Sequence, residues 1–558
     1  MAIRQHVGAL FTDLYEVTMA QAYWAERMSG TAVFEIFFRK LPPGRSYIMA
    51  AGLADVVEFL EAFRFDEQDL RYLRGLGQFS DEFLRWLAGV RFTGDVWAAP
   101  EGTVIFPNEP AVQLIAPIIE AQLVETFVLN QIHLQSVLAS KAARVVAAAR
   151  GRPVVDFGAR RAHGTDAACK VARTSYLAGA AGTSNLLAAR QYGIPTFGTM
   201  AHSFVQAFDS EVAAFEAFAR LYPATMLLVD TYDTLRGVDH VIELAKRLGN
   251  RFDVRAVRLD SGDLDELSKA TRARLDTAGL EQVEIFASSG LDENRIAALL
   301  AARCPIDGFG VGTQLVVAQD APALDMAYKL VAYDGSGRTK FSSGKVIYPG
   351  RKQVFRKLEH GVFCGDTLGE HGENLPGDPL LVPIMTNGRR IRQHAPTLDG
   401  ARDWARQQID GVPQPGEFAH DPVADRHRIR VAGVLERAQL RRERVDLLAG
   451  PVPRAVQCGC MLPDASAVGH DGHQQRVPGK VFTVLLEDTA TRIRWRSATG
   501  SWANSPGCGT PTRPKPTPGP TSSGRRPNDP RTTSSSSLDF GLPTHRKLAV
   551  TPSSGGTP

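Results

Sequence analysis

Cysteine is scarce in this chain of 558 residues, which contains six cysteines at irregular positions. One residue stands between Cys458 and Cys460, whereas zinc knuckles and dithiol redox pairs place two residues between their cysteines. The pattern therefore offers no cysteine-based metal or redox motif, and it favours a reduced, cytoplasmic setting.

Long apolar runs and a strong excess of one charge are absent as well. No run of about twenty apolar residues occurs, and the opening residues lack the basic segment, apolar core and cleavage site of a secretory signal. With 64 basic and 60 acidic residues the net charge is +4, which is small for this length. We therefore expect neither a membrane nor a nucleic acid as partner, although local basic clusters suit small, phosphate-rich ligands.

Apolar residues make up 44% of the chain, enough for large cores, and the length allows roughly three to four domains. Helices and short strands mix over residues 1–130, which predicts an α+β domain. Over residues 131–322, strand-like runs alternate with helices, which predicts a parallel sheet closed into a barrel or near-barrel. The expected fold class is therefore α/β, an irregular parallel α/β barrel plus an α+β domain.

The remaining sequence has a different character. Residues 323–413 return to mixed strands and turns, and residues 414–558 form a divergent tail. Past Gly509 the tail is rich in proline, serine, threonine and glycine, a composition that predicts disorder because it supplies no packed core.

The strand ends of the predicted barrel carry polar or glycine clusters. Such clusters converge on one rim in parallel α/β folds, and that rim is where these folds keep their chemistry. The clusters are Asp156, His202, Asp230, Asp260, Ser288-Ser289-Gly290 and Gly312-Thr313.

A long helix is expected before the barrel, from Glu120 to Ala149. Its apolar periodicity places a set of polar residues on the opposite, polar side of the helix. They are Glu125, Gln131, Gln135 and Lys141.

His202 lies in the most informative segment, Gly182 to Ser203. Small polar residues open a helix from Asn185 to Tyr192, and Thr196 to Met200 is predicted to be a short buried strand that delivers His202 to its end. A partly buried histidine with satisfied hydrogen bonds is the alternative, but the surrounding glycine, threonine and serine residues favour a functional role.

Motifs along residues 8 to about 413 resemble the nicotinate phosphoribosyltransferases, and their common order makes the match far more specific than a single motif. They are Thr12-Asp13-Leu14-Tyr15-Glu16, Glu101-Gly102-Thr103, Phe106-Pro107-Asn108-Glu109-Pro110, Asp156-Phe157-Gly158-Ala159-Arg160-Arg161, Gly182 to Ser203, Val229-Asp230-Thr231-Tyr232-Asp233-Thr234, Arg258-Leu259-Asp260-Ser261-Gly262-Asp263, Ser289-Gly290-Leu291-Asp292 and Gly308-Phe309-Gly310-Val311-Gly312-Thr313.

The resemblance implies an ATP-coupled enzyme of NAD salvage. Such an enzyme forms nicotinate mononucleotide and pyrophosphate from nicotinate and 5-phosphoribosyl 1-pyrophosphate (PRPP), with ATP and Mg²⁺ as cofactors. It also implies a homodimer with shared active sites and a segment, 323–413, that completes the N-terminal domain. The alternatives are a nicotinamide-using or quinolinate-using transferase and a non-catalytic relative that binds a phosphate ligand.

Several residues are expected to hold the base. Phe157 offers a stacking face and Arg160 a bidentate partner for a carboxylate. Thr183 and Ser184 flank the base in the resemblance, and Ser184 stands where nicotinamide-using relatives carry an aspartate that would repel a carboxylate. Tyr15 resembles the residue that closes the ring site of a neighbouring subunit.

The catalytic candidates are His202, Asp260 and Arg258. A carboxylate such as Asp260 stabilises positive charge that develops on the ribose in the transition state. A plain surface ion pair between Arg258 and Asp260 is the competing account. His202 resembles the histidine that ATP phosphorylates in this family.

Two glycine-containing loops are expected to bind phosphate through their backbone amides. Glycines that only permit tight turns are the alternative. The candidates are Ser289, Gly290, Gly310, Gly312 and Thr313, and further cations that suit pyrophosphate or ATP are Arg39, Lys329 and Lys345.

Overall fold

The structure is a computed structural model that describes residues 7–340, 347–394 and 397–412 and the short strands at 430–431, 482–483 and 496–497. The chain divides into two compact units, Met1–Ala455 and Val456–Pro558. In the second unit, Phe482–Thr483 pairs antiparallel with Arg496–Ser497. Apart from these short strands, the predicted tail lies outside the described residues, as does Lys345.

The first part of unit one contains four helices and five strands. This mixture of helices and short strands agrees with the α+β domain predicted for residues 1–130. The elements are α1 (Leu14–Ala25), β1 (Thr31–Phe38), β2 (Ile48–Met49), α2 (Leu53–Ala62), α3 (Glu67–Gly75), α4 (Asp81–Leu87), β3 (Asp95–Ala98), β4 (Val104–Ile105) and β5 (Val112–Pro117).

The middle part alternates strands with helices, as predicted. Its elements are α5 (Ile118–Leu123), α6 (Glu125–Ala148), β6 (Val154–Asp156), α7 (Thr165–Leu177), β7 (Gly182–Thr183), α8 (Leu186–Tyr192), α9 (His202–Gln206), α10 (Glu211–Leu221), β8 (Thr225–Leu228), α11 (Thr234–Leu248), β9 (Val254–Leu259), α12 (Leu264–Thr277), β10 (Glu284–Ser288), α13 (Glu293–Ala301), β11 (Gly308–Val311) and α14 (Thr313–Val317).

The last part is mostly antiparallel strand. Its elements are β12 (Met326–Tyr333), β13 (Ser336–Gly337), β14 (Lys352–Glu359), β15 (Val362–Glu370), β16 (Asp378–Pro379), β17 (Val382–Thr386), β18 (Arg389–Arg390), α15 (Leu398–Gly411) and β19 (Arg430–Val431).

An antiparallel sheet joins the beginning and the end of unit one. Its seven strands run in the order β13-β12-β1-β5-β3-β17-β18. The central strand β1 is buried at every position except the first, so both of its faces are covered. Because β12 pairs with β1 and β17 with β3, the segment after the barrel completes this sheet, as the resemblance implied.

The parallel sheet has six strands in the order β7-β6-β11-β10-β9-β8, which curl into a half-barrel. An irregular segment lies between the two edge strands. Thr196 forms a bridge to Thr183 of β7, and the Thr199 hydroxyl donates to the Met226 carbonyl of β8 at 2.5 Å. The predicted irregular α/β barrel is confirmed, with this segment in place of one strand.

The prediction of a buried strand from Thr196 to Met200 is wrong. Residues 195–198 are exposed, and the only strand-like pairing of the segment is the single bridge at Thr196. Pro195 has no N–H to donate to a ladder. Phe197 packs so closely over Gly182 that a Cβ there would lie 2.7 Å from its ring, so the segment bends against β7 instead of extending along it.

The single long helix predicted from Glu120 is two helices, α5 and α6, which meet at Val124. The predicted polar side of α6 is also wrong, because Gln131, Gln135 and Lys141 are buried. Gln135 donates to Asp55 of α2 at 2.7 Å, and Lys141 pairs with Glu293 of α13. The helix lies between the two halves of unit one, and its polar side chains bond across that boundary.

Two large apolar clusters form the core. One fills the antiparallel half and includes Phe127 and Val137 from α6, whereas the other surrounds the parallel sheet and includes Ala139 and Val145 from the same helix. Within the part of the chain that the structure describes, no helix is long and apolar enough to cross a membrane.

Candidate active site

His202 and Asp260 approach each other at the carboxyl ends of the parallel strands. His202 is the first residue of α9, and its Nε2 lies 3.6 Å from Oδ2 of Asp260, which follows β9. The other ring nitrogen, Nδ1, lies 3.2 Å from the Thr231 hydroxyl. Both side chains remain partly open to solvent, 39% for His202 and 30% for Asp260, so this pair is accessible to a ligand.

Asp260 is held from two neighbouring strands. Its Oδ1 accepts from the Ser288 hydroxyl at 2.6 Å, and its backbone N–H donates to Asp230 at 3.0 Å. The same Asp230 oxygen accepts from the Ser261 hydroxyl. The second oxygen of Asp230 is buried and has no hydrogen-bond partner among the described residues, so the site retains acceptor capacity.

Arg258 comes from the same strand as Asp260 and faces the rim. One guanidinium NH2 donates to the Met200 carbonyl at 3.2 Å, whereas Nε has no hydrogen-bond partner in the described parts of the chain. Burial lowers the pKa of Arg258, against the opposing charges of Asp260 and Asp230. Arg258 does not form a direct ion pair with Asp260, so the competing account of a plain surface pair fails.

An aromatic ring adjoins this cluster. The guanidinium carbon of Arg258 lies 5.9 Å from the centre of the Phe157 ring, which directly follows β6. A Cβ on Gly310 would lie 2.5 Å from the Phe157 ring. Gly310 is buried inside β11, and its lack of a side chain makes room for the Phe157 ring. This buried position gives no support to the predicted phosphate contact of Gly310.

Thr183 and Ser184 bond to Asp156, which is fully buried. Its carboxylate accepts from the Thr183 hydroxyl and from the Gly158 N–H, both at 2.8 Å. Burial raises the pKa of Asp156. The Thr183 hydroxyl is used inside the fold, whereas Ser184 is half-buried at the rim and Arg160 is exposed on a 3₁₀ turn.

The loop after β10 has an unusual backbone. Ser289 and Gly290 both adopt the left-handed region, with φ of 75° and 63°, and both are exposed. A non-glycine residue in this region is strained and is kept where the surroundings determine it, most often at functional sites. The adjacent strand β11 leads to half-buried Gly312 and exposed Thr313, so the two predicted loops are neighbours.

Models of two nicotinate phosphoribosyltransferase domains match the chain. The N-terminal domain of that family matches residues 10–133, and the family domain itself matches residues 153–340. A nicotinate phosphoribosyltransferase of Mycobacterium tuberculosis is 96% identical over 434 residues, which cover 77% of this chain and 94% of the relative. The chain belongs to the nicotinate phosphoribosyltransferase family.

More distant members of the family match the chain as well. A nicotinate phosphoribosyltransferase of Bacillus subtilis is 44% identical over 62% of this chain and 73% of its own length. The crystal structure of human nicotinic acid phosphoribosyltransferase is 28% identical, with a TM-score of 0.67 over 77% of this chain and 99% of that chain.

The structure does not bring every predicted site residue to the rim. Arg39, which follows β1, pairs with Asp325 at 2.9 Å, and Lys329 lies on β12. Tyr15 lies on α1 with 47% of its surface exposed, and burial together with Glu125 raises its pKa. These three residues all belong to the antiparallel half of unit one, and we call them the second group of site residues.

Sequence reasoning missed Thr231 and Ser288 as partners of His202 and Asp260. Both residues stand where the apolar runs of β8 and β10 give way to polar residues. That position at a parallel strand end is the signal that identifies them.

Proposed function

We propose that this chain is a nicotinate phosphoribosyltransferase of NAD salvage that couples mononucleotide formation to ATP hydrolysis in the cytoplasm. The observation that carries the proposal is the approach of His202 and Asp260 at a rim that also presents Phe157 and Arg258. Family membership supports the same substrates, nicotinate and PRPP.

Transfer requires the ring nitrogen of nicotinate to bond to C1 of the ribose as the bond from C1 to pyrophosphate breaks. Positive charge develops on the ribose, and the Asp260 carboxylate is suited to stabilise it. Ser288 and Asp230 fix Asp260 before substrate arrives, which removes the cost of orienting it during the reaction.

The exposed guanidinium of Arg160 and the half-buried Ser184 support the acid as substrate. Arg160 can pair with the carboxylate of nicotinate, and Ser184 adds no charge that would repel it. A nicotinamide-using enzyme is the alternative, and direct comparison of the two bases decides between them.

For ATP coupling, the γ-phosphoryl group would move to His202 with ADP as the leaving group, and water would later release inorganic phosphate. Nε2 lies 3.6 Å from Oδ2 of Asp260, beyond hydrogen-bond distance, so a closer approach of the two side chains in the reacting complex would place the proton on Nε2. Nδ1, which faces Thr231, then holds the lone pair that attacks phosphorus.

Mg²⁺ is the cation we expect to accompany pyrophosphate or ATP. No group of three or more histidine, cysteine or acidic side chains able to hold a metal occurs among the described residues. Mg²⁺ bound with phosphates needs only one or two carboxylates, so the unpartnered oxygen of Asp230 and the Asp260 carboxylate fit this use. The ion would neutralise charge on the leaving phosphates.

The second group of site residues supports a homodimer with shared sites. Tyr15 is exposed on α1, in the antiparallel half, together with Phe11 and Leu14. A second copy could place this ring against the base site of the first. Mixing inactive Tyr15→Ala and Asp260→Ala chains should restore activity, and no recovery despite verified subunit exchange would count against shared sites.

The direct test is turnover of radiolabelled nicotinate or nicotinamide with PRPP, with and without ATP. We expect mononucleotide from nicotinate, stimulation by ATP and little product from nicotinamide. Equal turnover of both bases would reject the specificity assignment, and binding of PRPP without turnover of either would support a non-catalytic relative.

A further inference from the structure

A buried group of charges lies beside the segments that follow both candidate phosphate loops. Its members, which we call the loop clamp, are Arg45, Lys141, Arg144, Glu293 and Asp320. Lys141 of α6 is 2% exposed, and its Nζ lies 2.5 Å from Glu293 and 2.8 Å from Asp320. One ammonium therefore contacts both carboxylates of the clamp.

Each carboxylate is also held by an arginine. Glu293 accepts from Nε of Arg144 at 3.0 Å, and Asp320 pairs with Arg45 at 2.7 Å. Arg144 donates in addition to the Gly44 carbonyl, next to Arg45. Three cations thus enclose two carboxylates. Burial raises the pKa of each carboxyl, but the hydrogen bonds and charges of the nearby cations outweigh it, so both pKa values are lowered.

The two carboxylates follow the two candidate phosphate loops, one at the start of a helix and the other beyond the end of a helix. Glu293 is the first residue of α13, directly after the loop Ser289–Asp292, and it is 1% exposed. Asp320 comes three residues after α14, the helix that begins at the second loop with Thr313. β10 and β11 are neighbours, and Lys141 of α6 contacts both the residue that directly follows the first loop and the residue that comes after the helix of the second loop.

The backbone of the first loop needs such support. Ser289 is strained by its positive φ and is itself exposed, so the residues on either side must hold it in place. Ser288 bonds to Asp260 on one side, and on the other Leu291 is buried and Glu293 is clamped. Buried ion pairs add little net stability compared with apolar residues, so positioning explains the clamp better than stability does.

We propose that Lys141 is a positioning residue that holds both phosphate loops in the conformation that binds the ribose 5-phosphate end of PRPP. This inference rests on the proposed function. It assigns to a residue outside the rim an effect on PRPP and not on nicotinate, because the residues proposed to hold the base, Phe157, Arg160 and Ser184, follow β6 and β7 and not the strands of the phosphate loops.

The test is Lys141→Met, which shortens the unbranched side chain by one atom and removes its charge. We expect the KM for PRPP and its Kd from calorimetry to rise at least about tenfold, with the KM for nicotinate changed less than about threefold. Lys170→Met is the matched control, because Lys170 is 8% exposed on α7 and pairs with Asp55 at 2.5 Å, whereas it pairs with neither carboxylate of the loop clamp. It should cost similar stability without a selective change for PRPP.

Asp320→Asn provides a milder variant if Lys141→Met does not fold, because Asp320 is 35% exposed. It should raise the Kd for PRPP by a smaller factor, again with little change for nicotinate. Unchanged PRPP constants, an equal rise for both substrates, or the same selective rise in Lys170→Met would overturn the inference. A parent chain that binds PRPP but makes no mononucleotide would instead reject the proposed function, and the calorimetric comparison would still decide the clamp.

Discussion

Arg356 of the antiparallel half and Arg258 of the barrel rim are both largely enclosed arginines near carboxylates, but their surroundings differ. Arg356 donates from Nε and one NH2 to Asp366 at 3.1 and 2.7 Å and from the other NH2 to Gln408 at 3.0 Å. Arg258 makes one hydrogen bond, to the Met200 carbonyl, and in the described structure its Nε has no partner.

The contrast extends to the neighbours of each arginine. The Arg356 guanidinium lies over the rings of Phe106 and Phe363, in a closed environment. Near Arg258, His202 and Asp260 remain partly exposed. Removing one partner of a pair that the fold saturates leaves a buried charge without compensation and so costs stability, whereas charges left with donor or acceptor capacity are available to a ligand. Variants in the two places should therefore fail in different ways.

The largest effect is expected in the saturated cluster. Asp366→Ala leaves the Arg356 guanidinium buried without its bidentate partner, and such losses cost about 3–5 kcal/mol. Denaturant unfolding followed by circular dichroism should show this loss. Asp81→Ala breaks an exposed pair with Arg74 and should leave the unfolding midpoint unchanged. A small effect of Asp366→Ala would remove the distinction between the two regions.

Asp260→Asn, at the rim, should lower activity and leave stability almost unchanged. It keeps the side-chain shape but removes the charge that stabilises the developing ribose cation, so kcat should fall about 10²–10³-fold while the melting temperature stays close to that of the parent. Initial rates and differential scanning fluorimetry measure the two quantities. Asp276→Asn, at an exposed pair on α12, is the control and should change neither. Near-normal activity in Asp260→Asn would refute its assignment.

Ser184→Asp tests the selectivity of the rim with a smaller expected change. A carboxylate there repels the carboxylate of nicotinate and can accept from the amide of nicotinamide. The ratio of kcat/KM for nicotinate to kcat/KM for nicotinamide should therefore fall about tenfold or more. Competition between the two labelled bases measures this ratio. An unchanged ratio would show that this position does not read the substituent.

The smallest effect concerns pH and the saturated cluster. Burial, and then repulsion from Glu109, raise the pKa of Asp366 to about 7, against the attraction of Arg356. Arg356 cannot neutralise two carboxylates, so the pair retains one proton. The folded state then binds this proton more tightly than the unfolded state, and the contribution to stability is lost as pH rises toward about 7.

Glu109→Gln removes the part of the pKa shift that comes from repulsion and leaves the part that comes from burial, because Asp366 then shares Arg356 with no second carboxylate. Between about pH 5 and about pH 8 the parent should lose more stability than this variant does. Parallel slopes of the two unfolding midpoints against pH would contradict the assignment.

Much of the fold could be predicted from local patterns. The helix predicted from Asn185 to Tyr192 is found as α8, because the capping residue Asn185 and the glycine after Tyr192 specify its ends locally. The segment from Thr196 to Met200 was not predictable in the same way, since its path depends on how Phe197 packs over Gly182. The buried side of α6 likewise depends on partners such as Asp55 and Glu293, which are distant in sequence.

In the candidate site, too, some features follow from local sequence and others depend on tertiary packing. His202, Arg258 and Asp260 were predictable because they end strands or lie in motifs. That Thr183 bonds inward to Asp156, and that Gly310 makes room for Phe157, required the packing of neighbouring strands. The grouping of Tyr15, Arg39 and Lys329 in the other half also depends on tertiary structure.

The coupling ratio in His202→Ala tests the central claim most directly, because it separates the histidine from the rest of the rim. ATP hydrolysed and nicotinate mononucleotide formed are measured together, in the parent and in the variant, at saturating PRPP. We predict that His202→Ala loses ATP hydrolysis and ATP stimulation but retains some uncoupled transfer, since the residues that we propose for the base and phosphate sites are other than His202. Unchanged stimulation by ATP in this variant would contradict the account.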